Sequence, residues 1–173
     1  MKRIVFAACM LIALQSMAQD STKQAAKPAP APITYKNYKY LPAYKLRALD
    51  STEILSTVVL HKKHESLIIY FSPTCSHCQH QAEEITSHIK DLQDVNILMV
   101  SSYPLSEIRT FAETYAINKF PNITLAYDPT YSLGHFFEIS SLPGIYIYDK
   151  KGEFKKNFAT NQKIETLLAA LKD

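Results

Sequence analysis

Between Leu67 and Leu92 the chain changes its hydrophobic period within a few residues, and this change constrains the fold more than any other feature. Leu67-Ile68-Ile69-Tyr70-Phe71 is a continuous apolar run rich in strand formers, the pattern of a strand buried on both faces. It stops at Ser72-Pro73. Cys78, Ala82, Ile85, Ile89 and Leu92 then recur at helical spacing and form one apolar stripe. Cys75-Ser76-His77-Cys78 sits at the joint, with Cys78 on the buried face of the helix. The same grammar repeats downstream. Residues 95–100 read as a second strand, 105–117 as a second helix with Ile108, Phe111, Ala112 and Tyr115 inward, and 123–127 as a third strand. Strand, helix, strand, helix, strand implies a parallel sheet with right-handed crossovers. After Leu142-Pro143-Gly144, residues 145–148 and 153–158 flank a turn at Asp149 to Gly152 and read as a β-hairpin, and a last helix is expected over about residues 162–171. Before Leu67, residues 40–49 fit a preliminary strand, whereas residues 51–61 fit either a helix or a strand.

The first residues read as an address. Met1-Lys2-Arg3 precedes an apolar run from Ile4 to Leu14, and Gln15 to Gln19 supplies the small residues that a signal peptidase needs, so residues 1–19 are expected to be a signal peptide. The run is shorter than the roughly 20 apolar residues that span a bilayer. Ala7-Ala8-Cys9 faintly resembles a lipidation box, but the apolar stretch runs on past it. Residues 20–34 carry Lys-Pro-Ala-Pro-Ala-Pro and read as an extended linker. Residues 35–173 remain as one domain, periplasmic or otherwise extracytoplasmic, with no membrane anchor after cleavage. Removal of Lys2 and Arg3 leaves 17 basic against 16 acidic side chains, so nucleic acid is not an expected partner. Only Gly134, Gly144 and Gly152 are glycines, so no phosphate-cradling loop can be written and nucleotide chemistry is excluded.

Cleavage would also remove Cys9 and leave two cysteines, Cys75 and Cys78, in an oxidising compartment. A pair this close closes too small a loop to stabilise the fold by chain entropy. Its position points to chemistry instead. Cys75 falls at a helix N-terminus, where unpaired N–H groups and the positive dipole end favour a thiolate, while Cys78 is shielded one turn in. Cys75 would attack a disulfide as nucleophile, and Cys78 would resolve the mixed disulfide.

At these residues the sequence resembles the thioredoxin superfamily. Leu-Ile-Ile-Tyr-Phe-Ser-Pro-Thr-Cys-Ser-His-Cys fits the strand and redox turn, and Leu142-Pro143 with Gly-Ile-Tyr-Ile-Tyr-Asp-Lys-Lys-Gly-Glu-Phe fits the stretch that carries the family's cis-proline. The match covers nearly all of residues 40–173. A leader, an N-terminal strand extension and a helical insertion over about residues 129–137 make the chain look most like the TlpA-like extracytoplasmic thiol-disulfide oxidoreductases. The resemblance implies a thioredoxin-like α/β fold, a central mixed sheet flanked by helices. It also implies that Pro143 is cis and packs with Leu142 against the cysteine pair to dock an extended substrate. No cofactor is implied. The expected partners are exported proteins with disulfides or thiols, and an upstream membrane electron donor. Thr74 stands where the family usually has tryptophan, Ile69 where thioredoxins bury an aspartate, and Gln81 where some TlpA-like reductases place a glutamate. The proton acceptor for Cys78 is thus unassigned, and Glu84 lies off the stripe. His77 resembles the turn of strongly oxidising periplasmic proteins and is expected to stabilise the Cys75 thiolate.

Reduction of exported disulfides is the preferred activity. The alternatives are an oxidase or isomerase role, a zinc or copper module, peroxide reduction, and a scaffold that uses the pair as a clip. A metal site would draw His61, His64, His77 or His80 to the thiolates, but a second cysteine pair is missing and no metal is expected. Peroxide reduction is echoed by Ser72-Pro73-Thr74-Cys75, yet beyond Arg3 only Arg47 and Arg109 exist to hold a peroxidatic thiolate. Asn122-Ile123-Thr124 matches a glycosylation sequon inside an expected buried strand. The aromatic stretch from Tyr131 to Phe137 either shapes substrate specificity or belongs to the core.

Overall fold

The computed structural model describes residues 31–60 and 63–172, so the expected signal peptide, most of the linker, Cys9 and His61 lie outside the described residues. One seven-stranded mixed sheet organises the fold, in the order β2-β1-β5-β4-β3-β6-β7. The strands are β1 (Lys45–Ala48), β2 (Glu53–Leu55), β3 (Glu65–Tyr70), β4 (Val95–Ser101), β5 (Ile123–Tyr127), β6 (Gly144–Tyr148) and β7 (Phe154–Phe158). The helices are α1 (Ser76–Ser87), α2 (Leu105–Thr114), α3 (Ser132–Phe136) and α4 (Ile164–Lys172). As expected from the alternation of periods, β3, β4 and β5 are parallel neighbours joined through α1 and α2. The later strands β6 and β7 add antiparallel on the other side.

Strand β3 is central because both of its faces are apolar. Leu67, Ile69 and Phe71 pack under α1, α2 and α4, while Ile68 and Tyr70 pack against Leu133, Phe136 and Phe137 of the α3 side. Leu67, Ile68 and Ile69 are fully buried, each worth about 1.5–3 kcal/mol of transfer free energy. The β6–β7 turn is built by Asp149, whose Oδ1 accepts the N–H groups of Lys151 and Glu153, both at 2.8 Å, while Gly152 takes φ +78°.

The segment whose period was ambiguous resolves into two short pieces. The preliminary strand is β1, and residues 51–60 hold β2 followed by a 3-10 turn over Ser56–Val59. The N-terminal extension is therefore a hairpin, with β1 antiparallel to β5 and β2 forming the sheet edge. A chain this short of residues per element carries no clear period, since three strand residues sample the alternation only once.

Helix α3 is the insertion before Pro143, and it is held by a buried carboxylate. Asp128 accepts the backbone N–H of Ser132 and of Leu133, each at 2.9 Å, and the Tyr70 hydroxyl at 3.3 Å. The ring of Tyr131 lies directly on Gly134, where a Cβ would come within 2.4 Å of it. Any larger residue there would displace the ring.

Candidate active site

Strand register brings the two expected parts of the site together. Tyr70 of β3 pairs with Gly144 of β6, so the chain leaving β3 toward Cys75 and the chain entering β6 from Pro143 meet at one end of the sheet. The Leu142-Pro143 peptide is cis, as the resemblance implied. The Cys75 thiol reaches the Leu142 carbonyl at 3.8 Å. Cys75 is the N-cap of α1, in extended conformation, half-buried and free. Cys78 lies one turn in and is 1% exposed. Burial, reinforced by contact with Cys75, pushes the Cys78 thiol up to about 12, against a smaller opposing effect of a Ser72 backbone hydrogen bond. One sulfur is thus presented at the surface and the other is kept protonated beneath it.

The turn that carries Cys75 is fixed by its own polar groups. The Cys75 N–H donates to the Ser72 carbonyl at 3.2 Å, the Ser72 and Thr74 hydroxyls lie 3.1 Å apart, and Gln79 Nε2 donates to the Pro73 carbonyl at 3.0 Å. Tyr103, just past β4, belongs to the same end of the sheet. The hydroxyls of Ser72 and Thr74 hold its phenol below the usual tyrosine range. Sequence reasoning missed Tyr103. The available signal was the parallel pairing of β3 with β4, which places the residues after both strands side by side. A cleft of about 380 Å³ opens beside the turn, with Pro73, Thr74, Gln79, Phe111 and Tyr115 in its wall.

Three side chains of α1, spaced one turn apart, grip the segment that leads into α4. His77 Nδ1 lies 3.1 Å from Asn161 Oδ1, Gln81 Oε1 accepts the Gln162 N–H at 2.6 Å, and Glu84 Oε1 accepts the Ile164 N–H at 2.8 Å. Glu84 therefore closes the first turn of α4. His77 is exposed, and its side chain faces Asn161. Gln81, absent from the apolar stripe read from the sequence, is 1% exposed.

Several alternatives meet specific geometry. The Arg109 guanidinium donates to the Leu49 carbonyl at 2.8 Å and to Ser51 Oγ at 3.1 Å, and Arg47 lies in β1, between β5 and the edge strand β2. His64 Nδ1 is 3.9 Å from Asp94, and among the described residues no three His, Cys, Asp or Glu side chains gather as a metal-ligand set. The sequon asparagine is committed inside the fold, since Asn122 Nδ2 donates to the carbonyls of Leu92 and Val95 at 2.9 and 3.0 Å. The aromatic stretch belongs to the core. Phe136 and Phe137 are each 1% exposed and pack with Tyr44 and Tyr146, because the insertion folds its apolar side onto the sheet instead of toward the cysteines.

No curated protein sequence matches the chain. The secreted Mycobacterium tuberculosis disulfide oxidoreductase homologous to Escherichia coli DsbE superposes with a TM-score of 0.64 at 13% identity, covering 75% of this chain and 95% of that one. Peroxidoxin BcpB from Mycobacterium tuberculosis gives 0.64 at 14% identity, with 77% and 94% covered. A peroxiredoxin-like protein from Aquifex aeolicus gives 0.62 at 16%, with 78% and 84% covered. At such identities these likenesses establish the thioredoxin-like fold. Among described residues no helix is long and apolar enough to cross a membrane. The profile of the AhpC/TSA family matches residues 39–157, and the chain belongs to that family of thioredoxin-fold oxidoreductases.

Proposed function

We propose that this protein is an exported thiol-disulfide oxidoreductase that reduces disulfides of other exported proteins. Cys75 is the nucleophile and Cys78 the resolving thiol. The observation that carries this reading is the pairing of a half-buried sulfur at the start of α1, against the carbonyl that precedes the cis-proline, with a buried sulfur one turn below it. Cys75 attacks a substrate disulfide and releases one substrate sulfur as thiolate. Cys78 then attacks the Cys75 sulfur, its proton leaves to water, and the second substrate sulfur departs as Cys75–Cys78 forms. The pair gives up two electrons and the substrate disulfide gains them. An extended substrate segment lies along Leu142 and Pro143, and His77 tunes the Cys75 thiolate. Electrons return to the pair from another thiol protein at the membrane. The secreted location rests on the basic start and apolar run of residues 1–19.

Peroxide reduction is the second reading, favoured by the AhpC/TSA match. Against it, Arg109 is engaged with Leu49 and Ser51, away from Cys75. Replacing Cys78 with serine separates the two readings. The Cys78→Ser protein is expected to accumulate mixed disulfides with exported proteins through Cys75, resolved by non-reducing electrophoresis and lost on adding reductant. A peroxidase would instead show consumption of hydrogen peroxide with no protein adducts, and absence of both activities would leave a scaffold.

A further inference from the structure

Gln81 is a buried amide with one half of its hydrogen-bonding capacity in use. Its Oε1 is fixed on the Gln162 N–H at 2.6 Å, which settles the orientation of the amide and leaves Nε2 as the free end. Among the described residues that Nε2 has no partner, although Gln81 is 1% exposed. A buried unpaired donor costs about 1–3 kcal/mol, so it calls for a state of the molecule in which the donor is used. Cys78 supplies one. It lies three residues earlier on the same helix, where i and i+3 side chains are neighbours, and it is equally buried. Its sulfur is neutral at rest, becomes an anion by giving its proton to water before it attacks the mixed disulfide on Cys75, and passes that charge to the departing substrate sulfur as the Cys75–Cys78 bond forms. Cys75 is the ionisable neighbour that bears on the Cys78 thiol. Glu84, one turn further on, is occupied by the Ile164 N–H, and His77 faces Asn161.

We propose that Gln81 is a catalytic residue of the resolving step: its Nε2–H donates to the Cys78 sulfur as that sulfur becomes anionic, while the Cys78 proton passes to water. Gln81 carries no titratable proton, so it stabilises charge without acting as a base. Catalytic hydrogen bonds often tighten only as the reacting state forms, which fits an amide without a partner in the dithiol. The orientation is preset by Gln162, so little reorganisation accompanies the reaction. This inference rests on the exchange cycle proposed above.

Reaction with dithiobis(nitrobenzoate) reads the two steps separately. The Cys75 thiolate attacks the reagent disulfide, forming a Cys75–thionitrobenzoate adduct and releasing one coloured thionitrobenzoate anion. Cys78 then displaces the second anion, forming Cys75–Cys78 and giving one proton to water. Stopped-flow absorbance therefore shows two successive releases. Gln81→Met should leave the first release unchanged and slow the second by about tenfold, the scale of one charge-assisted hydrogen bond. An equal second release in a folded Gln81→Met protein overturns the role of Gln81 and leaves the exchange cycle standing; loss of the first release in the unaltered protein overturns the cycle itself. The unaltered protein gives an independent reading if the variant does not fold. Its second release should rise about tenfold per pH unit from about pH 6 to about pH 9 with no inflection, because only the ionised fraction of Cys78 changes. An inflection in that range would mark a titrating side-chain base and overturn the proposal.

Discussion

Cys78 links folding to acidity in a way that can be measured without any substrate. The perturbation is Cys78→Ala, made in a Cys75→Ser background so that no disulfide forms in either protein. Burial is the leading cause of the raised Cys78 pKa, and it survives the background substitution. The sign follows from where the proton is held. A thiol raised from the ordinary 9.0 to about 12 keeps its proton more tightly when folded. Its contribution to stability is therefore fully present below about pH 9 and is lost as pH climbs toward 12. At about pH 10.5 the unfolded thiol is largely ionised and the folded one is not, a gap of about 1.5 pH units, or about 2 kcal/mol. At neutral pH the alanine variant should be the less stable by about 1 kcal/mol, through lost packing around the sulfur. The difference should then shrink and reverse as the solution becomes alkaline. Urea unfolding followed by far-ultraviolet circular dichroism at neutral pH and at about pH 10.5 gives both values, and the tyrosines and lysines that also titrate are common to both proteins and cancel. A stability difference that stays constant across this range would refute the buried, protonated Cys78 on which the division of labour between the two sulfurs depends.

Other substitutions test other parts of the structure. Asp128→Ala removes the acceptor for Ser132, Leu133 and Tyr70 and strands buried donors, so it should lower stability by about 3–5 kcal/mol, read by thermal unfolding, with Asp128→Asn milder. Tyr146→Phe deletes a buried hydroxyl that donates to the Phe137 carbonyl at 3.0 Å and should cost about 1 kcal/mol in urea unfolding. His77→Pro should lower the reduction potential of the Cys75–Cys78 couple, measured by equilibration with glutathione; an unchanged potential would count against a tuning role for His77.

Much of this protein is carried by local pattern. The apolar run at Leu67 to Phe71, the helical stripe from Cys78 and the Asp149 to Gly152 turn each act through a few consecutive residues, so β3, α1 and the β6–β7 hairpin could be read before any contact was known. The two cysteines were equally legible, because their place at the joint of a strand and a helix is a property of sequence spacing. The β1–β2 hairpin was not, since its strands are too short to show a period and are held by pairing with each other and with β5.

Partnership across the chain is what the tertiary structure alone decided. Only the pairing of Tyr70 with Gly144 shows how residues 67 positions apart come to share a site, with Cys75 against Leu142. Only packing turned Gln81 from a polar residue beside the stripe into a buried group held on Gln162, and turned the aromatics of α3 toward the core. The physical reason is that periodicity records which face of an element avoids water, whereas a hydrogen bond or a thiol's surroundings depends on what the rest of the chain brings to that face.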